Sequence, residues 1–441
     1  MFRLISTAKQ ILRGKFGRSV FIVAGGTASA QLINSILSPI ITRIYNPEEF
    51  GVLAGYISIV GLLSIVGALH YQKAIPIADS EEQAINVLAL SLFVLSIVSA
   101  SSLLFVVFFG SRLEKIFGSS IPYEYSLLIP LGLFTSSLYG IMRQWSLRRK
   151  DFKTLARTQI TQSIFGNAVK LGLGILSLGP IGLILGTVVG SSMGVSSLAR
   201  PVIVKDRHLL SQIDIKKIRI CAKRYVKFPI FSFPGEFLYA AGNNLPVLFI
   251  GGLFGQETLG YYALANSIVR LPLYLIGESV AQVFYAELAR IGKRDPVGTK
   301  NMALNLMKKL SIIGLIPVLL LLPFGPFLFS FVFGEGWHLS GVYARIISFA
   351  VYANFIIAPV GRIMEVFERQ GIGFLLNCLR LAMVLGVFFA AYSTDLGSYI
   401  TIGLYVFSIV LSYSAALICV IRMLNSEIAK QSNGSVSRTN T

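Results

Sequence analysis

Twelve apolar stretches of about 20 residues recur along this chain, with the charged residues gathered into short islands between them. A helix rising about 1.5 Å per residue needs about 20 residues to cross a hydrocarbon core of about 30 Å. Hydrocarbon offers no partner to a free peptide group, so an open sheet of such segments is excluded and each one reads as a helix. The spans are predicted at 19–41, 51–70, 84–110, 122–142, 158–178, 180–199, 229–250, 259–282, 310–333, 338–360, 373–393 and 398–421. With 54% hydrophobic and only 13% charged residues among 441, the composition excludes a set of soluble domains. The expected fold class is an all-α polytopic membrane protein.

The net charge of +19 raises the question of nucleic acid, and its placement answers it. With the N-terminus on the cytoplasmic side, 32 of the 39 Lys and Arg residues fall in islands on that side. Only Arg43, Arg112 and Lys115 fall outside, and Lys170, Arg270, Arg345 and Arg380 lie within spans. This bias orients a membrane protein, so the basic charge is a topology device and no nucleic-acid partner is expected. Both termini are expected to be cytoplasmic. The longest island, 200–228, separates six spans from six. The expected parts are a basic N-terminus (1–18), an N-terminal half (19–199), a basic linker (200–228), a C-terminal half (229–421) and a disordered polar tail (422–441).

Sliding the chain by 209 residues reveals an internal repeat. Asn34 then meets Asn243, Ile41 meets Ile250, Glu48 meets Glu257, Gly51 meets Gly260 and Ala54 meets Ala263. Ser58-Ile59-Val60 also meets Ser267-Ile268-Val269, which makes eight identities in the 27 positions 34–60. Two parallel repeats of six helices predict two pseudo-symmetric bundles around a central cavity, a plan suited to a transporter. The hinge "SPIITRIYNPEEFG" between the first two spans thus has a copy between the seventh and eighth, both on the outer side.

Gly182, Gly186, Gly190 and Gly194 line one face of the sixth span, spacing that admits a neighbouring backbone. Prolines 39, 229, 234 and 246 predict bent or broken first helices in both halves. Charges inside spans carry the most information, because a central Lys or Arg costs about 2.5–3.5 kcal/mol on insertion scales and is kept where water or a partner receives it. Lys170 and Arg270 are placed too deep to reach an interface, whereas Arg345 and Arg380 lie seven residues in, within snorkelling range. Glu236 and Glu278 are the deepest acids. Pairing both still leaves two cations, so the cavity prefers an anion. Asn34, Asn243 and Asn244, with Gln31 and Asn266, supply amides suited to hydroxyl-rich ligands, and the two glutamates are also candidates for ion coupling. Arg43, whose counterpart in the second copy is Gly252, is a candidate for the exit side.

No enzyme signature accompanies these residues. The three histidines are far apart, the aspartates are scattered, and Cys221, Cys378 and Cys419 have no ligand spacing, so no metal and no cofactor is expected. Gly190-Ser-Ser-Met-Gly194 fits a hydrolase pattern that needs a strand, a turn and a helix, a setting that a membrane helix lacks.

The hinge, the stretch "FPIFSFPGEFLYAAGNNLPVLFIGGLFG" and the following "ETLGYYALANSIVRLPLYLIGESVAQVFY" resemble the polysaccharide biosynthesis proteins. These are the Wzx-like O-antigen and exopolysaccharide flippases of the multidrug/oligosaccharidyl-lipid/polysaccharide exporter superfamily. The resemblance implies two six-helix bundles around a cavity that opens alternately to each face of a bacterial cytoplasmic (inner) membrane. It implies movement of an undecaprenyl-diphosphate-linked oligosaccharide, an O-antigen, capsule or exopolysaccharide unit, to the periplasmic leaflet. It also implies membrane lipids, a polysaccharide polymerase and a chain-length regulator as partners, and Lys170, Arg270, Arg345 and Arg380 as the cations that hold the diphosphate. Three alternatives stand beside it. A multidrug cation exporter favours intramembrane carboxylates without excess Lys or Arg. A lipid II flippase usually has more spans, and an assembly scaffold does not need Lys170 or Arg270 within the membrane.

Overall fold

The computed structural model describes residues 15–116, 122–292 and 295–439. Twelve long helices carry it: α1 (Lys15–Ile44), α2 (Pro47–Val66), α3 (Glu81–Ile116), α4 (Ile129–Arg148), α5 (Phe152–Ile175), α6 (Pro180–Val204), α7 (Phe233–Val269), α8 (Glu278–Ile291), α9 (Pro296–Phe333), α10 (His338–Gly361), α11 (Gln370–Thr394) and α12 (Ser398–Thr439). Most predicted spans fall largely within one of these helices, but the span 259–282 is divided between the end of α7, a π-helical segment Leu273–Gly277 and the start of α8. The last of them continues past residue 422, where the sequence reading begins the tail.

Among the described residues, nine stretches are long and apolar enough to cross a membrane. One of the nine, Phe228–Val269, contains the seventh span and the start of the eighth, and α1 and α5, which carry polar residues along one side, are not among them. The protein is an all-helical polytopic membrane protein.

By their contacts the residues form two compact units. The first comprises Met1–Ala263 with Val332–Gly336, and the second comprises Leu264–Phe331 with Trp337–Thr441. Unit 1 has a core at each end. At one end Ile41, Tyr45, Val52, Tyr56, Ile129 and Leu183 pack together. At the other, Ile75, Ile85, Ile141, Trp145, Leu155 and Leu198 enclose the chain turn after α2. Beside this second core the Trp145 indole N–H donates to Asp206 at 3.0 Å, and Arg149 forks onto the same carboxylate at 3.1 and 2.8 Å.

The surface helix Ile215–Arg224 is docked there too. Lys217 pairs with Glu82, Arg224 pairs with Asp79, and the Asp214 amide donates to Asn86 Oδ1 at 3.0 Å. Ile215 and Ile220 stay exposed among its lysines and arginines, the character of an interfacial helix. In unit 2, α12 packs against α10 and α11. Phe284, Leu288, Val360, Ile363 and Leu424 form its main core. Large side chains such as Phe108, Phe331 and Phe389 point outward, a surface fitted to lipid and not to water.

Capping decides where helices begin. Asn46 Oδ1 accepts from the Glu49 amide at 2.9 Å, Glu49 Oε2 accepts from the Asn46 amide at 2.7 Å, and Pro47 follows at the first helical position. A cap of this kind is worth about 1 kcal/mol. The hinge is therefore a helix stop followed at once by a capped start. Its repeat copy falls inside α7. At Gly255, the counterpart of Asn46, the backbone takes φ 82° and ψ 171° and breaks what is otherwise one run of helical hydrogen bonds. Asn46 has nearly the same ψ, 169°, with φ −83°.

The two copies also touch in unit 1. A Cβ added at Gly51 would strike the backbone of Gln256, and one added at Gly260 would strike that of Pro47 and lie 3.1 Å from the Gly51 amide nitrogen. Shifted by 209, Pro47 becomes Gln256 and Gly51 becomes Gly260, so each contact is the other's image, as at an isologous two-fold.

The glycine face of α6 does the work expected of it. Lipid is as apolar as leucine, so helices associate through close packing, and small residues permit it. A Cβ at Gly186 would meet the Gly166 carbonyl at 2.7 Å, and one at Gly190 would meet the Gln162 carbonyl at 3.1 Å. Gly172, on the far side of α5, has nothing within 4 Å.

Gly190→Leu is expected to force α5 and α6 apart, destabilising unit 1 by about 1–3 kcal/mol, while Gly172→Leu is tolerated. Thermal unfolding of the detergent-purified variants, followed by size-exclusion fluorescence, checks the contrast.

Candidate functional site

Helices α1 and α5 pack together along a polar seam. On α1, Thr27, Gln31, Asn34 and Ser38 recur at intervals of four, three and four, which places them in one stripe. On α5, Gln159, Ser163, Asn167 and Lys170 follow at intervals of four, four and three, which again places them in one stripe. The stripes are joined by two hydrogen bonds: Asn167 Nδ2 donates to Asn34 Oδ1 at 2.7 Å, and Ser163 Oγ donates to the Ala30 carbonyl at 3.2 Å. Asn167 Nδ2 also reaches the Ser163 carbonyl at 2.8 Å. The Gln159 side-chain oxygen is buried without a donor among the described residues.

Lys170 closes the seam in the last two turns of α5, nearer the helix end than the sequence places it. Its carbonyl accepts the Tyr45 hydroxyl at 2.7 Å, and its stem passes against Gly186, where no side chain would fit. Among the described residues its ammonium has neither a carboxylate partner nor a hydrogen bond.

The other candidate cations belong to unit 2 and are differently engaged. Arg270 Nε donates to Asn266 Oδ1 at 2.8 Å, one turn back on its own helix. Arg345 Nη2 donates to the Pro323 carbonyl at 2.8 Å, in the stretch of α9 that holds Pro317, Pro323 and Pro326, and among the described residues its buried Nε has no acceptor. Arg380 is 8% exposed, with its guanidinium carbon 5.6 Å from the centre of the Tyr413 ring. A cation over an aromatic face gains about 0.5–2 kcal/mol.

Of the remaining candidates, Asn243, Asn244, Arg43 and Glu236 lie in unit 1 and Glu278 in unit 2. Asn243 and Asn244 donate to carbonyls of their own helix, at Tyr239 (2.8 Å) and Ala240 (2.9 Å), and Gly61 of α2 leaves room for the Asn244 side chain. Arg43 is exposed in the last turn of α1. Glu278 opens α8, and its side chain lies outside the described residues.

Glu236, in the first turn of α7, pairs with Lys73, and its Oε2 lies 3.5 Å from His70 Nε2. His70 is 2% exposed, at φ 64° in the turn after α2, with its ring edge-on to Phe233 at 6.1 Å. Burial pushes the imidazole below its ordinary range, Lys73 pushes the same way, and Glu236 opposes them. Among the described residues no three His, Cys, Asp or Glu side chains converge to hold a metal ion.

Sequence reasoning missed Asn167, His70 and Lys73. Helical spacing between Ser163 and Lys170 marks Asn167. His70 and Lys73 carry no local signal, since what joins them to Glu236 is the fold across more than 160 residues.

Apolar helices in two units, with a seam of amides in unit 1 that ends on Lys170, define a polytopic membrane protein. Solved structures share this fold over nearly the whole chain. An inward-facing multidrug-resistance MATE family transporter of the MOP superfamily aligns with 97% of this chain and 98% of its own, at TM-score 0.69 and 14% identity. A VcmN MATE transporter of Vibrio cholerae aligns with 97% and 99%, at 0.64 and 15%. A MOP superfamily transporter of Pyrococcus furiosus, described as having a binding pocket of reverse polarity, aligns with 95% and 98%, at 0.61 and 15%.

The sequence profile described as "Polysaccharide biosynthesis protein" matches residues 40–341, and the chain belongs to that family. Teichuronic acid biosynthesis protein TuaB of Bacillus subtilis is 25% identical over 314 residues, 70% of this chain and 61% of that protein. Succinoglycan biosynthesis transport protein ExoT of Rhizobium meliloti is 24% identical over 255 residues, 56% of this chain and 48% of that protein. The match thus spans about half to three fifths of these relatives.

Because the Asn34–Asn167 bond joins α1 to α5, a double-mutant cycle with Asn34→Leu and Asn167→Leu is expected to give a coupling of about 0.6 kcal/mol, with an upper bound of about 1.7 kcal/mol. Reversible unfolding in mixed micelles measures it, and a coupling of zero would show that the two amides act independently.

Proposed function

We propose that this protein is a flippase that moves an undecaprenyl-diphosphate-linked oligosaccharide unit, of O-antigen, capsule or exopolysaccharide, from the cytoplasmic to the periplasmic leaflet by alternating access through a cationic cavity. The observation that carries this reading is Lys170, an ammonium without a carboxylate partner among the described residues, at the end of a seam of amides and hydroxyls. Such a charge is costly to keep in a bilayer unless an anion visits it. At 4 Å and an effective dielectric of 20, one phosphate charge gains about 4 kcal/mol from it. Side-chain amides beside the charge suit the hydroxyls of a sugar, and Arg270, Arg345 and Arg380 are further cations proposed to meet the diphosphate.

Glu236 argues against a carrier of cations, because Lys73 already neutralises the acid that a cation would use. In this reading the chain lies in a bacterial inner membrane with both termini cytoplasmic, Arg43 stands on the exit side, and the polymerase and chain-length regulator of the assembly are its neighbours. A relative described as a succinoglycan biosynthesis transport protein supports the assignment.

Lys170→Ala and Arg270→Ala are each expected to abolish surface polysaccharide while the protein stays in the membrane at its normal level, and Lys170→Arg to retain part of the export. Immunoblotting of membranes beside extraction of lipid-linked saccharides tests this, with a complete repeat unit accumulating behind the block. Normal export in both alanine variants would overturn the cationic cavity, and altered dye resistance with unchanged glycolipid would instead mark a drug exporter.

A further inference from the structure

The turn between α2 and α3 packs against the short π-helical segment Phe228–Ser232 that leads into α7. Across this contact Glu236 is shared between Lys73, which pairs with its Oε1, and His70, whose Nε2 lies 3.5 Å from its Oε2. Lys73 and Glu236 are partly exposed, whereas His70 is buried and among the described residues its Nδ1 has no partner. The geometry points to a proton-binding latch at this contact: neutral His70 and the Lys73–Glu236 pair hold the α2–α3 turn against the start of α7, and proton uptake by His70 releases it. The turn lies at the end that the transport reading assigns to the cytoplasm, so the release would open that face. The latch rests on that reading only for this consequence.

The chemistry follows from the unpartnered nitrogen. With Nε2 carrying its hydrogen toward Glu236, Nδ1 is a lone pair enclosed by protein, the atom to which a proton adds. The imidazolium so formed would hold a buried N–H without an acceptor beside the Lys73 ammonium, an arrangement that costs far more than the same cation in water. Moving the turn outward hydrates it.

The other charges near the turn are committed elsewhere. From α4, Arg148 donates to the carbonyls of Ile75 (3.0 Å) and Ala78 (2.8 Å) and reaches Glu81 of α3 at 3.4 Å. From the surface helix, Arg224 pairs with Asp79, and the Tyr71 hydroxyl of the turn donates to the Ala222 carbonyl at 3.3 Å. Lys73 and Glu236 are the charges that act on the imidazole. Closed, the latch holds His70 below its ordinary value, and open, in water, the residue returns to about 6.5. The closed form therefore binds fewer protons than the open one, is favoured above about pH 6.5, and weakens as the pH falls below it.

Two nitroxides test the latch directly, one at Ile77→Cys on the turn and one at Phe231→Cys on the facing segment, both exposed positions. They are placed in the full chain with its three native cysteines replaced and reconstituted in nanodiscs. Their dipolar coupling should report a single short distance at pH 8 and a longer component at least threefold more populated at pH 5.5. Asn adopts positive φ readily, so His70→Asn should keep the turn and lose the pH response, and Glu236→Gln should show the longer component at both values. An unchanged distance in the parent, a parent-like response in His70→Asn, or a closed latch in Glu236→Gln would each overturn the proposal. Because the readout is a distance and not export, it stands or falls independently of the flippase assignment.

Discussion

A peptide group inside hydrocarbon can bond only to its own chain, and this requirement shapes the whole molecule. It makes every span a helix, and it removes the hydrophobic drive that would press helices together in water. Packing must then come from contact, and the closest contact is backbone on backbone. The glycines of α6 against α5, Gly325 against Gly341 in unit 2, and the crossed pair Gly51 and Gly260 are three solutions to that one problem.

The same constraint accounts for the distribution of polar groups. Where α1 and α5 meet, an amide and a hydroxyl bond across the interface, and the seam ends on Lys170, whose ammonium has no carboxylate partner among the described residues. Where the chain leaves the apolar layer, charge becomes cheap and does mechanical work: Arg149 with Asp206, Lys217 with Glu82 and Arg224 with Asp79 pin the surface helix and its neighbours. Between these regimes sits His70, enclosed like a core residue but facing a carboxylate at the rim. Residues at such a boundary are the ones whose charge state can alter packing.

Much of this was legible in the sequence. Span length and charge bias give the helices, and the 209-residue shift locates the second hinge at Gly255, a break hidden in the backbone hydrogen-bond pattern of α7. The four-residue glycine spacing gives the α5–α6 interface. What sequence could not supply is the fate of each polar side chain. Arg345 reads as a cavity cation, yet it donates to the Pro323 carbonyl in a stretch of α9 that holds three prolines. Glu236 reads as a deep acid, yet it is partnered at a rim by residues far away in the chain. Periodicity reports which face a residue is on, and only the fold reports what stands opposite it.

The two hinges, though copies, are built from different materials. At the first, an asparagine, a proline and a glutamate lock the turn with two side-chain hydrogen bonds. At the second, a glycine at φ 82° supplies the bend. A duplicated element is thus closed once by a side-chain capping box and once by a backbone conformation that only glycine adopts readily.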